Sequence, residues 1–168
     1  MQKTSIVLAA VSRLQREQLW LASTALIIMM VGTVADVFFR YSFNKPLRIS
    51  YDLVESMLVI YVFHGISGVF FKQRNIVIDV VDTFVSARTK NTLVVIGNIL
   101  SLVALAILMR AMIGPALQAF DYGDRKIELG IPLYILWIFA LVGTGGAITC
   151  AFAKLLSHDK ANEAGPKP

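Results

Sequence analysis

"LWLASTALIIMMVGTVADVFF", residues 19–39, contains a single ionisable side chain, Asp36. About 20 apolar residues at 1.5 Å per residue cover roughly 30 Å of hydrocarbon, so the stretch reads as a helix that crosses a membrane. Three further runs of the same character follow at 53–71, 92–113 and 131–153. The whole chain agrees with this reading. Of its 168 residues 57% are hydrophobic and only 16% are charged, and its mean hydropathy is +0.68, whereas a soluble domain carries about a quarter charged residues. The runs are continuous, unlike the alternating segments of about ten residues that build a membrane barrel. The expectation is an all-α integral membrane protein with a four-helix membrane domain over 19–153 and amphipathic helices at the interface.

Towards the N-terminus, residues 1–18 form an amphipathic segment. Val7, Val11 and Leu14 fall at helical spacing while Ser12, Arg13, Gln15, Arg16 and Glu17 lie elsewhere on the wheel, which predicts a helix on the membrane surface anchored by Trp20. "SIVLAAVS" after Lys3 is short for the core of a signal peptide and Arg13 and Arg16 follow it, so the segment is expected to be retained. Between the second and third crossings, "KQRNIVIDVVDTFVSARTKN" sets Asn75, Asp79, Asp82, Ser86 and Thr89 three or four residues apart. That stripe predicts a second in-plane helix at about 76–90; a short strand through "NIVIDV" competes, because period two also fits locally. Residues 154–168 carry too little apolar surface to pack and are expected to be a disordered tail.

Charge sets the expected topology. The net charge is +5, but the basic residues are spread over loops and tails with no basic run, which speaks against a nucleic-acid partner. With the N-terminus inside, ten of the 16 Lys and Arg residues fall on the inner side, so both termini are expected in the cytoplasm. Cys150 is the sole cysteine, which excludes an internal disulfide or a cysteine metal cluster.

Ionisable groups in or beside the crossings are costly unless paired. On this topology Asp36, Arg40, Glu55 and Arg110 converge near the outer face, and they are expected to form a structural ionic cluster; a proton or substrate relay is the competing reading. His64 lies within the second crossing, and the other histidine, His158, lies in the tail, so the chain alone cannot supply two core imidazoles to a haem. No catalytic residue, cofactor site or metal site is expected in this chain. Gly65 and Gly68 in the second crossing, and Gly143 and Gly146 in the fourth, are candidate helix-packing positions, since small residues let helix backbones approach in lipid.

Arg40-Tyr41-x-Phe43-Asn44-x-Pro46, then "SYDLVES", "NIVIDVVD" and "GIPLYILW" in that order along four crossings, resemble the small membrane subunit of tripartite ATP-independent periplasmic (TRAP) transporters, of the DctQ or SiaQ kind. Ile49-Ser50-Tyr51-Asp52 stands where many relatives carry Trp near "SEE". The resemblance implies a non-catalytic subunit of the bacterial inner membrane that scaffolds a large elevator-type membrane subunit as a heterodimer. Sodium and the substrate, an organic acid bearing a carboxylate, would be held by the large subunit, and a periplasmic binding protein would deliver the substrate. The docking candidates are Arg40, Tyr41, Asn44, Lys45, Pro46, Arg48 and Asp52 around the first connector, with Asp121, Asp124, Arg125 and Lys126 on the third. Membrane lipids are the remaining partner. Two other readings stay open: an independent oligomeric proton-coupled transporter or channel using Asp36 or Glu55, and the membrane anchor of a respiratory enzyme.

Overall fold

A computed structural model describes residues 2–71 and 87–163. They form four helices: α1 over Gln2–Phe43, α2 over Ile49–Phe71, α3 over Ala87–Asp121 and α4 over Leu133–Glu163. No named strand occurs among the described residues. Each helix contains a stretch long and apolar enough to cross a membrane: Ala10–Phe43, Ile49–Val69, Val95–Asp121 and Leu133–Ala153. The all-helical, four-span architecture read from the sequence is therefore the one observed.

The helices outrun the expected crossings at several ends. α1 continues unbroken from residue 2 into the first crossing, because no Pro or Gly interrupts it before Gly32. The third crossing extends past residue 113 to Asp121, and Pro115 sits inside it without ending it. α4 runs to Glu163, where disorder was expected from residue 154; Leu155, Leu156 and Ala161 are good helix formers and no Gly or Pro intervenes. The in-plane helix or strand expected near 76–90 falls mainly on 72–86, outside the described residues, and 87–90 form the first turn of α3.

α2 and α4 lie side by side, with α1 against α2 and α3 against α4; the N-terminal half of α1 also reaches α4, where Val11 clusters with Cys150 and Ala153. The interior is built from small side chains. Ala22, Ala25, Ala140, Ala147 and Ala151 are buried, and the largest fully buried side chains are Thr144, Cys150, Ser56 and Ser67. Bulky residues such as Ile27, Val34, Leu100 and Ile107 point outward. This inversion of the soluble pattern follows from the solvent: lipid is as apolar as leucine, so helices associate by close packing of small residues.

Gly143 marks such an approach between two backbones. A Cβ there would lie 2.7 Å from the Phe63 carbonyl carbon and oxygen, so α2 and α4 touch backbone to backbone at this level. A Cβ on Gly146 would collide with the Gln18 amide, and one on Gly68 would lie 2.7 Å from Leu19 Cδ2. Gly65, expected to belong to the same set, faces nothing within 4 Å. Gly32, passed over in the sequence, holds the α1–α2 contact at Leu53.

A carboxylate-anchored connector face as candidate functional site

Two connectors emerge at the same end of the bundle, one from α1 to α2 and one from α3 to α4. The first begins with Asn44 in the left-handed region (φ 51°), a frequent way to end a helix, and Pro46 then prevents its continuation. The second begins with a Schellman cap. Gly123 (φ 65°) donates its N–H to Phe120 O at 3.3 Å, and Asp124 donates to Ala119 O at 3.2 Å. Reciprocal bonds from Lys126 N–H to Ile131 O (2.9 Å) and from Leu133 N–H to Asp124 O (2.8 Å) then close a compact loop.

Three carboxylates fasten these connectors to the helices. Asp36 pairs through Oδ2 with Arg40 at 2.8 Å, as its spacing of four predicts, while its Oδ1 accepts the Leu47 N–H at 2.8 Å. The Ser50 hydroxyl adds a bond of 3.3 Å to Gly32 O. Asp52 Oδ2 accepts the backbone N–H groups of Glu128 at 2.8 Å and Leu129 at 3.3 Å. Less than one turn further along α2, Glu55 Oε2 lies 2.5 Å from Lys126 Nζ. Asp52 is buried, and hydrogen bonds to a charged acceptor contribute about 1.5–3 kcal/mol each. The α3–α4 connector is thereby tied to the start of α2.

This arrangement revises two sequence expectations. The ionic cluster of Asp36, Arg40, Glu55 and Arg110 does not form as a unit: Asp36 and Arg40 pair with each other, and Glu55 pairs with Lys126. Arg110 stands apart in depth. Its neighbours on α3 pack at the level of mid-α4, since Met112 Sδ lies 3.8 Å from Thr144 Oγ1 and a Cβ on Gly145 would lie 3.9 Å from Met109 Cε. The connector end is marked by Phe120 against Tyr134, ten residues or about 15 Å further along α3. The expected convergence relied on a crossing that stopped at residue 113, and the longer helix removes it.

The second revision concerns docking candidates. Asp52 is turned inward, because unpaired loop amides await it there, and the Lys126 side chain is only 11% exposed against Glu55. Arg40, Tyr41, Asn44, Lys45, Pro46, Arg48, Asp121, Asp124 and Arg125 are exposed, as are Phe43, Tyr51, Tyr122 and Ile127. Behind this face, a cleft of about 270 Å³ between α2, α4 and the second connector is lined by Glu55, Val59, Phe63, Lys126, Leu133, Leu136, Trp137 and Ala140.

Away from the connectors, the buried polar groups are mostly satisfied by their own helices. His64 donates from Nδ1 to Ile60 O at 3.0 Å, packs beside Phe139 and receives no ionisable partner among the described residues. Ser56, Ser67 and Thr144 donate to Asp52 O, His64 O and Ala140 O, which hides their hydroxyls from lipid. Gln15, Gln18 and Asn98 are buried but escaped the sequence reading. Gln18 Nε2 donates to Val142 O at 3.3 Å, whereas Gln18 Oε1 and Asn98 Nδ2 have no hydrogen-bond partner among the described residues. The signal that reveals them is a stripe at alternating steps of four and three: Val11, Gln15, Gln18, Ala22 and Ala25 are all buried, and Leu14 is 39% exposed. Polarity had set Gln15 off the apolar stripe; in a bundle of small residues both glutamines fill the seam instead. No group of three or more His, Cys, Asp or Glu capable of holding a metal ion occurs among the described residues.

Four apolar helices, with two short connectors anchored by side chains, define a multi-pass membrane protein. Residues 29–160 match the family model described as tripartite ATP-independent periplasmic transporters, DctQ component, and the chain belongs to that family, the small membrane component of TRAP transporters. No curated protein and no solved structure is significantly similar.

Proposed function

We propose that this chain is the non-catalytic small subunit of a TRAP-type secondary transporter of the bacterial inner membrane. It braces a large elevator-type subunit as a heterodimer and helps dock a periplasmic substrate-binding protein, in sodium-coupled uptake of an organic acid bearing a carboxylate. Sodium and substrate bind in the large subunit on this reading. The family match over residues 29–160 carries the proposal.

The connector face supports the docking role. Its polar groups are divided between those that shape it (Asp36, Asp52, Glu55, Lys126) and those presented to solution (Tyr41, Lys45, Arg48, Tyr51, Tyr122). With both termini cytoplasmic, this face lies in the periplasm, where a binding protein reaches it. Asp36 and Glu55, the carboxylates a proton-coupled transporter would use, are each committed to a cation at the connector end.

The test is reconstitution. Vesicles that hold the large subunit, the binding protein and this chain are expected to take up substrate with a sodium gradient, and vesicles without this chain are not. Solute movement by the purified chain alone overturns the proposal.

A further inference from the structure

The cleft behind the connector face is a slot with two dissimilar ends. At the deep end α2 and α4 meet backbone to backbone, where a Cβ on Gly143 would lie 2.7 Å from the Phe63 carbonyl. At the other end the second connector brings Lys126 Nζ to 2.5 Å from Glu55 Oε2. Glu55, Val59 and Phe63 follow at steps of four along α2, and Leu133, Leu136, Trp137 and Ala140 recur at steps of three and one along α4, so each helix turns one stripe to the slot. Beneath the ion pair every lining side chain is apolar or aromatic.

These dimensions decide what fits. From Glu55 to Phe63 the α2 wall is about 12 Å long at 1.5 Å per residue. A volume of about 270 Å³ spread over that length leaves a bore of roughly 22 Å², whereas a helix 10 Å across needs roughly 80 Å². The slot is too narrow for a helix of any partner and has the section of one extended hydrocarbon chain.

Its ends match the two halves of a phospholipid. The apolar walls belong to the spans Ile49–Val69 and Leu133–Ala153, so hydrocarbon surrounds them, while Lys126 lies in the connector before the fourth span begins. The ion pair therefore stands at headgroup level, with Trp137 about one turn inside the start of that span. A cation alone would accept any anionic headgroup; a cation beside a carboxylate selects one that carries both charges. Lys126 Nζ suits a phosphate, and Glu55, whose side chain is 48% exposed, keeps oxygen lone pairs for an ammonium N–H. A choline headgroup has no such N–H to give. We propose that the cleft is a specific site for one ethanolamine phospholipid, with an acyl chain in the slot and its phosphate and ammonium set head to tail against Lys126 and Glu55. The inference depends on the membrane-spanning fold and not on which proteins the chain assembles with.

Trp137 reports on the slot. The chain has two tryptophans; with Trp20→Phe, the full-length protein is placed in phosphatidylcholine vesicles that hold a minor fraction of lipid brominated on its acyl chains, a short-range quencher of indole. Brominated phosphatidylethanolamine is expected to quench at mole fractions about tenfold lower than brominated phosphatidylcholine, the effect of one charge-assisted hydrogen bond. Glu55→Gln is expected to remove most of that preference, and Val59→Phe, which fills the slot, to remove it as well. Equal quenching by the two lipids with the slot unaltered describes ordinary boundary lipid and overturns the inference, as does a preference for phosphatidylglycerol over phosphatidylethanolamine. Photo-crosslinking from position 59 in the complex with the large membrane subunit extends the test to the assembled state. Labelling of ethanolamine phospholipid is expected; labelling of polypeptide alone shows that a partner's side chain fills the slot and overturns the inference. The comparison of lipids with the slot unaltered decides the matter even if the variants fold poorly, and recovery of the complex reports on the small-subunit reading independently.

Discussion

Asp52 at the start of α2 and Glu128 in the α3–α4 connector are 76 residues apart in sequence, yet the Asp52 carboxylate accepts the Glu128 backbone N–H at 2.8 Å. The contact ties the α3–α4 connector to the first turn of α2, and it does so with a buried carboxylate whose other bond goes to Leu129 N–H.

Asp52→Ala leaves both part-buried amides without their acceptor and is expected to cost about 1–3 kcal/mol. Asp52→Asn keeps a carbonyl oxygen and is expected to lose less. Thermal unfolding in detergent checks the order; equal midpoints for the two variants and the parent would show that the anchor is dispensable.

Gly143 and Gly65 give opposite expectations for the same substitution. Gly143→Ala drives a methyl group into the Phe63 backbone and is expected to destabilise by about 1–3 kcal/mol. Gly65→Ala meets open space and is expected to be neutral or to stabilise by up to about 1 kcal/mol through helix propensity. Their unfolding midpoints should move in different directions.

The Glu55–Lys126 pair is half-exposed on the carboxylate side, so its coupling is expected to be modest, about 1 kcal/mol in a double-mutant cycle of Glu55→Gln and Lys126→Met. Raised salt should shrink that coupling. A coupling of zero would leave Asp52 as the sole side-chain link from α2 to the second connector.

Asn98 is buried with its Nδ2 unpaired among the described residues, and an unsatisfied donor is a cost that an apolar residue of similar shape removes. Asn98→Leu is expected to hold or raise the midpoint. A large fall would reveal a partner for that amide beyond the described residues.

Lys45 and Arg48 stand exposed on the connector face. Reversing both to glutamate is expected to reduce transport by the reconstituted system, more strongly at low than at high salt, with no change in the unfolding midpoint. Unchanged uptake would remove these residues from the docking surface.

The four spans were legible because about 20 consecutive apolar residues have few other uses. Their ends were less so: charged and polar residues such as Arg110, Gln118 and Asp121 sit within α3, and composition alone stops the helix early. The pairing of Asp36 with Arg40 was visible as a spacing of four. The inward turn of Asp52 was not, since its partners are backbone amides, which every residue but proline possesses and no sequence pattern marks. Gln15 was set off the apolar stripe and Gln18 was passed over because polarity predicts exposure in water, while their regular spacing with Val11, Ala22 and Ala25 reports the seam directly. Where a helix faces lipid, periodicity of small and polar residues is the more reliable guide to its inner face.

The three carboxylates that stitch the connectors to α1 and α2 have a consequence for any visitor to that end of the molecule. Because the loops are already fixed by Asp36, Asp52 and Glu55, an arriving protein finds its landing ground in final shape and forfeits little chain entropy on contact. Such preorganisation suits brief, repeated encounters, in which each visitor must leave as readily as it came.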